Sequence, residues 1–383
     1  MSDRIHSIDT LRAVAIGFVV VAHAGPFKGY GQYGNHVFFV LDTVGQFDVP
    51  FFFAVSGFFL ATKISPDNAL NTVVSSAKKL ATLYGFGIMV YAPVLFLGVA
   101  GLAKLEGRSV QEALVAKVFQ SVDPIHLLYY GDAFAEHLWF LTSLIFSFVL
   151  VGVFVVSKKE SYLLPAAALL HLTGILDQNF PLLFDVPAPT RDAVFFGFFY
   201  VVLGYKLQTI DWRPDTDRST LYLALVLVLV IVQLLEQYIL GYVLRDATLA
   251  QEVVTTPYTV STTLFVAAVL VYALSAPDLG KKTLLPTVGT YAVGVYLIHF
   301  PIDRLTEAID GLMYALAGID LSTMLWWHVL LVPGIYAISL ATYLALDRVG
   351  VIDIGESHVP RMNRIRRRLG AVLGSVRRGD AVE

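Results

Sequence analysis

Cysteine is absent from this chain, which excludes disulfides and thiolate metal sites and leaves the redox compartment unreadable. Charge is scarce as well. Asp, Glu, Lys and Arg make up 15% of the residues, against roughly 25% in soluble domains. There is no HExxH pair and no Gly-rich phosphate loop, so zinc-peptidase and P-loop chemistry have no residues to work with. Heptads, a long linker and internal repeats are also missing. The formal net charge of -3 says little, because the placement of charge matters more than its sum.

What the chain has in excess is apolar surface. Hydrophobic residues are 56% of its 383, above the roughly 45–50% of soluble domains, and that surplus needs a bilayer to face. Apolar runs between charged or Pro/Gly-rich breaks predict an all-α, polytopic membrane bundle of about ten transmembrane helices. They cover residues 9–23, 45–61, 80–99, 138–156, 162–176, 193–207, 221–240, 258–276, 285–302 and 324–346. The first, fifth and sixth are short for a ~30 Å hydrocarbon layer. The first run carries Arg12 and lacks a small-x-small cleavage site, so insertion through an uncleaved helix is expected.

An even number of spans puts both ends on one side. With the N-terminus inside, inner segments and tail hold nineteen Lys and Arg against seven in outer segments. That bias predicts cytoplasmic termini. The domain reading is a membrane domain over 1–347 and a basic cytoplasmic tail over 348–383. The tail, RMNRIRRRLGAVLGSVRR, reads as an anchor on anionic headgroups and not as a nucleic-acid site.

The chain is organised around IDTLRAVAIGFVVVAHAGP, in which an apolar run carries Asp9, Arg12 and His23. Ionisable groups there are costly and call for a partner or a task. Eleven residues separate Arg12 from His23, about 16 Å of helical rise and within about 20° of one face. Both are therefore expected to point into one lumen, Arg12 toward the cytoplasm and His23 toward the outer surface. Asp9, at i,i+3 from Arg12, is either a simple ion-pair partner or a contact for substrate. FFFAVSGFFLA offers Ser56 and Gly57, for a ligand or for close helix approach. His137 and Trp139 open an inward-running span, and His299 closes an outward-running one, where Pro301 would suffice to end the helix. His23, His137 and His299 thus gather in the outer half, as imidazoles able to exchange protons near neutral pH.

These stretches together resemble the acyltransferase-3 family of integral membrane acyltransferases. The matching pieces are IDTLRAVAI, the Arg-x10-His spacing of Arg12 and His23, FFFAVSGFFLA, HLWFL and GTYAVGVYLIHFPI, in the same order. The resemblance implies transfer of an acyl group, commonly acetyl, from cytoplasmic acyl-CoA to a hydroxyl of a cell-surface glycan or glycolipid across the plasma membrane. Acyl-CoA is then a donor substrate, with no resident cofactor or metal expected. Some members carry a fused SGNH hydrolase-like domain. Only residues 347–383 follow the last apolar run here, so transfer is expected within the membrane domain or with a separate partner.

Combining both lines, Arg12 with Lys78 and Lys79 is expected to hold the donor phosphates. His23 serves as general base or transient acyl carrier, His137 or His299 positions acceptor or leaving group, and Ser56 donates to the oxyanion. The alternative from another class is a transporter or flippase for a glycan intermediate or organic acid, although no inverted repeat is visible. A sensor or scaffold using the basic tail is a third.

Overall fold

The computed structural model describes residues 4–351, apart from 181, 188, 211, 246 and 257. The basic tail read at 348–383 therefore lies almost wholly outside the described residues. Every described regular element is helical. Apolar runs in lipid have this solution because a helix satisfies its own backbone hydrogen bonds.

In chain order the helices are α1 His6–Ala24, α2 Gly34–Gly45, α3 Asp48–Ala61, α4 Ala69–Leu105, α5 Val110–Ser121, α6 Trp139–Val156, α7 Leu163–Asn179 and α8 Phe198–Thr209. There follow α9 Ser219–Tyr238, α10 Val260–Ser275, α11 Leu285–Gly289, α12 Ala292–Ala317 and α13 Leu325–Arg348. Each of the ten apolar runs falls largely on helix, the one at 285–302 being split between α11 and α12. Among the described residues six helical stretches are long and apolar enough to cross a bilayer: His6–Ala24, Gly34–Ala61, Ala69–Leu105, Glu136–Val156, Thr216–Val243 and Leu325–Arg348. Ala193–Thr209 and Val260–Ser275 are shorter apolar helices. The protein is an all-helical, multi-pass membrane protein.

Three boundaries differ from the sequence expectation. The run at 45–61 begins in α2, and the chain turns at Gln46 and Phe47 before α3 starts. α4 extends over 37 residues, about 55 Å, because neither its lysines nor Pro93 breaks it. α12 continues through Pro301 to Ala317 and does not end there. Pro301 is buried, and a proline is tolerated where neighbouring helices support the freed backbone groups.

The main core joins α3, α6, α7, α8 and α10 through Phe51, Phe53, Phe148, Leu163, Tyr200 and Phe265. Its tightest contact is between α3 and α8. A Cβ on Gly57 would strike the Val201 carbonyl, and one on Gly204 would strike the Ala54 carbonyl. Two glycines thus let two backbones touch, the packing mode that membrane interiors favour. α1 is pinned beside α11 in the same way, where Gly289 faces the Asp9 carbonyl.

Candidate active site

Four helices carry the candidate residues through the bundle, α1 and α12 in one direction and α3 and α6 in the other. α1 takes Arg12 to one end and His23 to the other. α3 runs the opposite way, from Asp48 past Ser56 toward Lys63. α6 starts at Trp139, and α12 climbs from Ala292 through Tyr296 to His299.

Two cavities occupy opposite ends of these helices. The inner one, about 470 Å³, is lined by Arg12, Ser56, Phe59, Lys63, Ser76, Lys79 and Thr290 among apolar side chains. The outer one, about 480 Å³, is lined by His23, Asp42, Gln46, Asp48, Asp132, Glu136, His137, Trp139, Arg191 and Thr255. Val19, Val49, Phe140 and Tyr296 line both. The single lumen expected from the sequence is therefore two adjoining chambers, divided by two β-branched side chains and two aromatic rings.

In the inner chamber the Arg12 guanidinium donates from Nη1 to Asp9 Oδ1 at 3.1 Å and stands 5.3 Å from the Phe59 ring centroid. Arg4 Nε donates to the other Asp9 oxygen at 2.7 Å. Asp9 is thus buried between two arginines, off the chamber wall. Its ion pair with Arg12 holds that guanidinium in place. Lys79 reaches the chamber, but Lys78 is exposed and absent from its wall, since neighbours on a helix point ~100° apart. Ser56 lines the chamber, whereas Gly57 is spent on the contact with α8.

At the outer chamber three imidazoles converge, His23 and His137 on its wall and His299 buried behind them. The His23 ring centroid lies 5.2 Å from that of His299 and 6.3 Å from that of His137, and His137 and His299 are 5.3 Å apart. His299 Nδ1 lies 2.8 Å from the Tyr296 carbonyl. A carbonyl only accepts, so Nδ1 carries the hydrogen and Nε2 is left with its lone pair. That Nε2 is buried and has no hydrogen-bond partner among the described residues, and neither does His137 Nδ1 or Nε2. The Tyr296 hydroxyl donates to the His137 carbonyl at 2.5 Å. Tyr296 therefore ties α12 to the start of α6, orients His299 and walls both chambers. Trp139 faces the outer chamber with Arg191 Cζ 5.4 Å from its ring centroid.

Several residues of the site escaped the sequence reading. Tyr296 lay inside a quoted motif and received no role. Asp48 sits within a predicted span, and an intramembrane carboxylate is itself a functional signal. Asp42, on α2 ahead of the predicted span, and Arg191, in the loop before α8, carry no such signal, because only the packed bundle brings them to the chamber.

A helical bundle with two polar chambers meeting inside the membrane region defines a polytopic membrane protein with an internal site. A family model described as an acyltransferase domain matches residues 5–344. The chain belongs to this acyltransferase-3 family. It is also similar to an amino-acid racemase of Enterococcus faecalis, 25% identical over 213 residues, 51% of this chain and 27% of the relative. A serine/alanine racemase of Enterococcus gallinarum is 23% identical over 243 residues, 59% of this chain and 32% of the relative. The chain matches about a third or less of the length of these curated relatives. No solved structure matches.

Proposed function

We propose that the protein moves an acyl group, acetyl in the simplest case, from cytoplasmic acyl-CoA to a hydroxyl of a cell-surface glycan or glycolipid in the plasma membrane. The observation that supports it best is the pair of chambers back to back, one lined by cations, the other by imidazoles. In this reading both termini and the Arg12 chamber face the cytoplasm. Arg12, Lys63 and Lys79 hold the donor phosphates by charge-assisted hydrogen bonds. Ser56, on the same side, bonds the donor's amide-bearing arm; it lines a different chamber from His23 and so takes no part as an oxyanion donor.

The thioester meets the acceptor at the partition. His23 takes the proton of the acceptor hydroxyl as its oxygen attacks the thioester carbonyl carbon. The C–S bond breaks, and the departing CoA thiolate recovers that proton from the imidazolium. The unpartnered His137 nitrogens hold the acceptor, and His299 Nε2 supports the charged form of the cluster. Membership of an acyltransferase family weighs against the transporter or flippase alternative.

The experiment is acyl-CoA consumption coupled to acceptor labelling in membrane vesicles. His23→Ala should insert normally and lose roughly 10²–10⁴-fold in rate. Transfer at the wild-type rate in that variant would overturn the reading.

A further inference from the structure

α1 ends one residue after His23, at Ala24, and its last turn closes on Gly25, which adopts φ 56 and donates its amide to the Val21 carbonyl at 3.0 Å. The end of a helix lacks part of its hydrogen-bond ladder and frays unless something holds it. His23 makes no hydrogen bond of its own among the described residues; it is held by ring contacts with His299, His137 and Phe300. Its place therefore depends on the backbone that follows. That backbone is strained. Phe27 takes φ 67, a left-handed conformation that a residue with a side chain keeps only where its surroundings impose it.

His328, in the first turn of α13 and 6% exposed, supplies the restraint. Its Nδ1 accepts the Phe27 amide at 2.9 Å, and its Nε2 lies 2.7 Å from the Ser322 carbonyl. An amide N–H only donates and a carbonyl only accepts, so the ring carries its one hydrogen on Nε2. Both nitrogens are used. The Phe27 ring stacks on the imidazole at 5.4 Å and 24°, and the Tyr30 ring stands 4.7 Å away. Ser322 follows Leu321, whose amide donates to Asp310 of α12 at 2.8 Å. The turn after α1 is thereby tied to α13 and to α12, the helix that carries His299. Further along α13 the Tyr336 hydroxyl donates to the Ala13 carbonyl at 3.2 Å, so α13 grips α1 at two heights.

We propose that His328 is a positioning residue for His23: by accepting the Phe27 amide it fixes the end of α1, and with it the place of the His23 ring in the outer chamber. The effect on rate rests on the transfer reading above, whereas the fixing of α1 does not. His328 lines neither chamber. Its influence therefore falls on turnover and not on the binding of acyl-CoA.

Two substitutions separate the two bonds of the ring. Asparagine sets its amide oxygen where Nδ1 stood, keeping an acceptor for Phe27, but falls short of Ser322. Glutamine reaches Ser322 with its amide nitrogen and has no acceptor at the Nδ1 position. The test is hydrogen exchange in the purified full-length protein in detergent. Exchange over residues 19–30 should quicken about tenfold in His328→Gln and stay near the wild-type rate in His328→Asn. In the transfer assay kcat should fall about tenfold in His328→Gln with the acyl-CoA KM unchanged, and recover in His328→Asn. Histidine nitrogen NMR of the wild-type protein should show His328 as the Nε2–H tautomer. Equal exchange in the two variants, an unchanged kcat in His328→Gln, a change confined to the acyl-CoA KM, or the Nδ1–H tautomer would overturn the proposal. Failure of the transfer reading shows differently: His23→Ala keeps its activity while the exchange pattern stands.

Discussion

His23 and His299 bring their rings to 5.2 Å, centroid to centroid, at a tilt of 49° across the contact of α1 with α12. His299 has committed its Nδ1 hydrogen to Tyr296, so the nitrogen left free can accept but not donate. An imidazolium formed on His23 therefore finds an acceptor within its own cluster. Two cations at this separation in a low-dielectric interior would repel strongly, so one proton at a time is the workable load.

Tyr296 serves the histidines and the partition through different atoms, and substitution can separate them. Tyr296→Phe keeps the ring and leaves the His137 carbonyl without its donor, so transfer should fall about tenfold with no gain in side reaction. Tyr296→Ala removes the ring as well, and acyl-CoA should then be hydrolysed without acceptor. The ratio of CoA released to acceptor acylated reads the difference. A ratio of one in the alanine variant would dismiss the partition as a water barrier.

Arg12 and Asp9 should respond differently from the outer residues. Arg12→Lys loses the planar fork and should raise the acyl-CoA KM about tenfold while leaving the acceptor KM in place. Asp9→Asn weakens the clamp on Arg12 and should shift the same constant in the same direction by less. Steady-state kinetics with each substrate varied settles it; a change confined to the acceptor KM would contradict the assignment of Arg12 to the donor chamber.

Gly57 predicts a stability effect without a catalytic one. Gly57→Ala sets a methyl group against the Val201 carbonyl and must push α3 from α8, at a cost of about 1–3 kcal/mol. Thermal unfolding of the detergent-solubilised protein should show a lower midpoint, while the protein that remains folded keeps its acyl-CoA KM. An unchanged midpoint would mean that the two helices have room to part.

At the outer mouth, His126 Nδ1 lies 2.8 Å from Asp132 Oδ1, and the hydrogen bond and charge of that carboxylate raise the pKa of the imidazole above its ordinary value. A raised folded-state value means that the contact supports the loop below the unfolded histidine value of about 6.5 and fades as pH rises through the folded one. Asp132→Asn should move the His126 titration downward, read by NMR of labelled histidine. A titration that stays put would remove Asp132 as the cause.

How far the sequence carries depends on how local each feature is. Helices were legible because apolar runs are local, and Arg12 with His23 because one helix spans both. Helix ends were less so: α12 passes Pro301 and α4 overruns its apolar stretch, since neighbours and not local signals decide both. Lys78 and Lys79 could not be told apart before the rotation of α4 was known. The partition was out of reach, because its four side chains come from α1, α3, α6 and α12 and meet only when the bundle is packed. Ser56 and Gly57 are adjacent in sequence yet serve a chamber wall and a helix contact, a division only the packed bundle reveals.

Having one pocket on each side of a shared wall bears on the order of events. Neither substrate has to vacate its place for the other, so a ternary complex can assemble from either direction. Double-reciprocal plots should then intersect; parallel lines would point instead to an acylated enzyme that waits, loaded, for its alcohol.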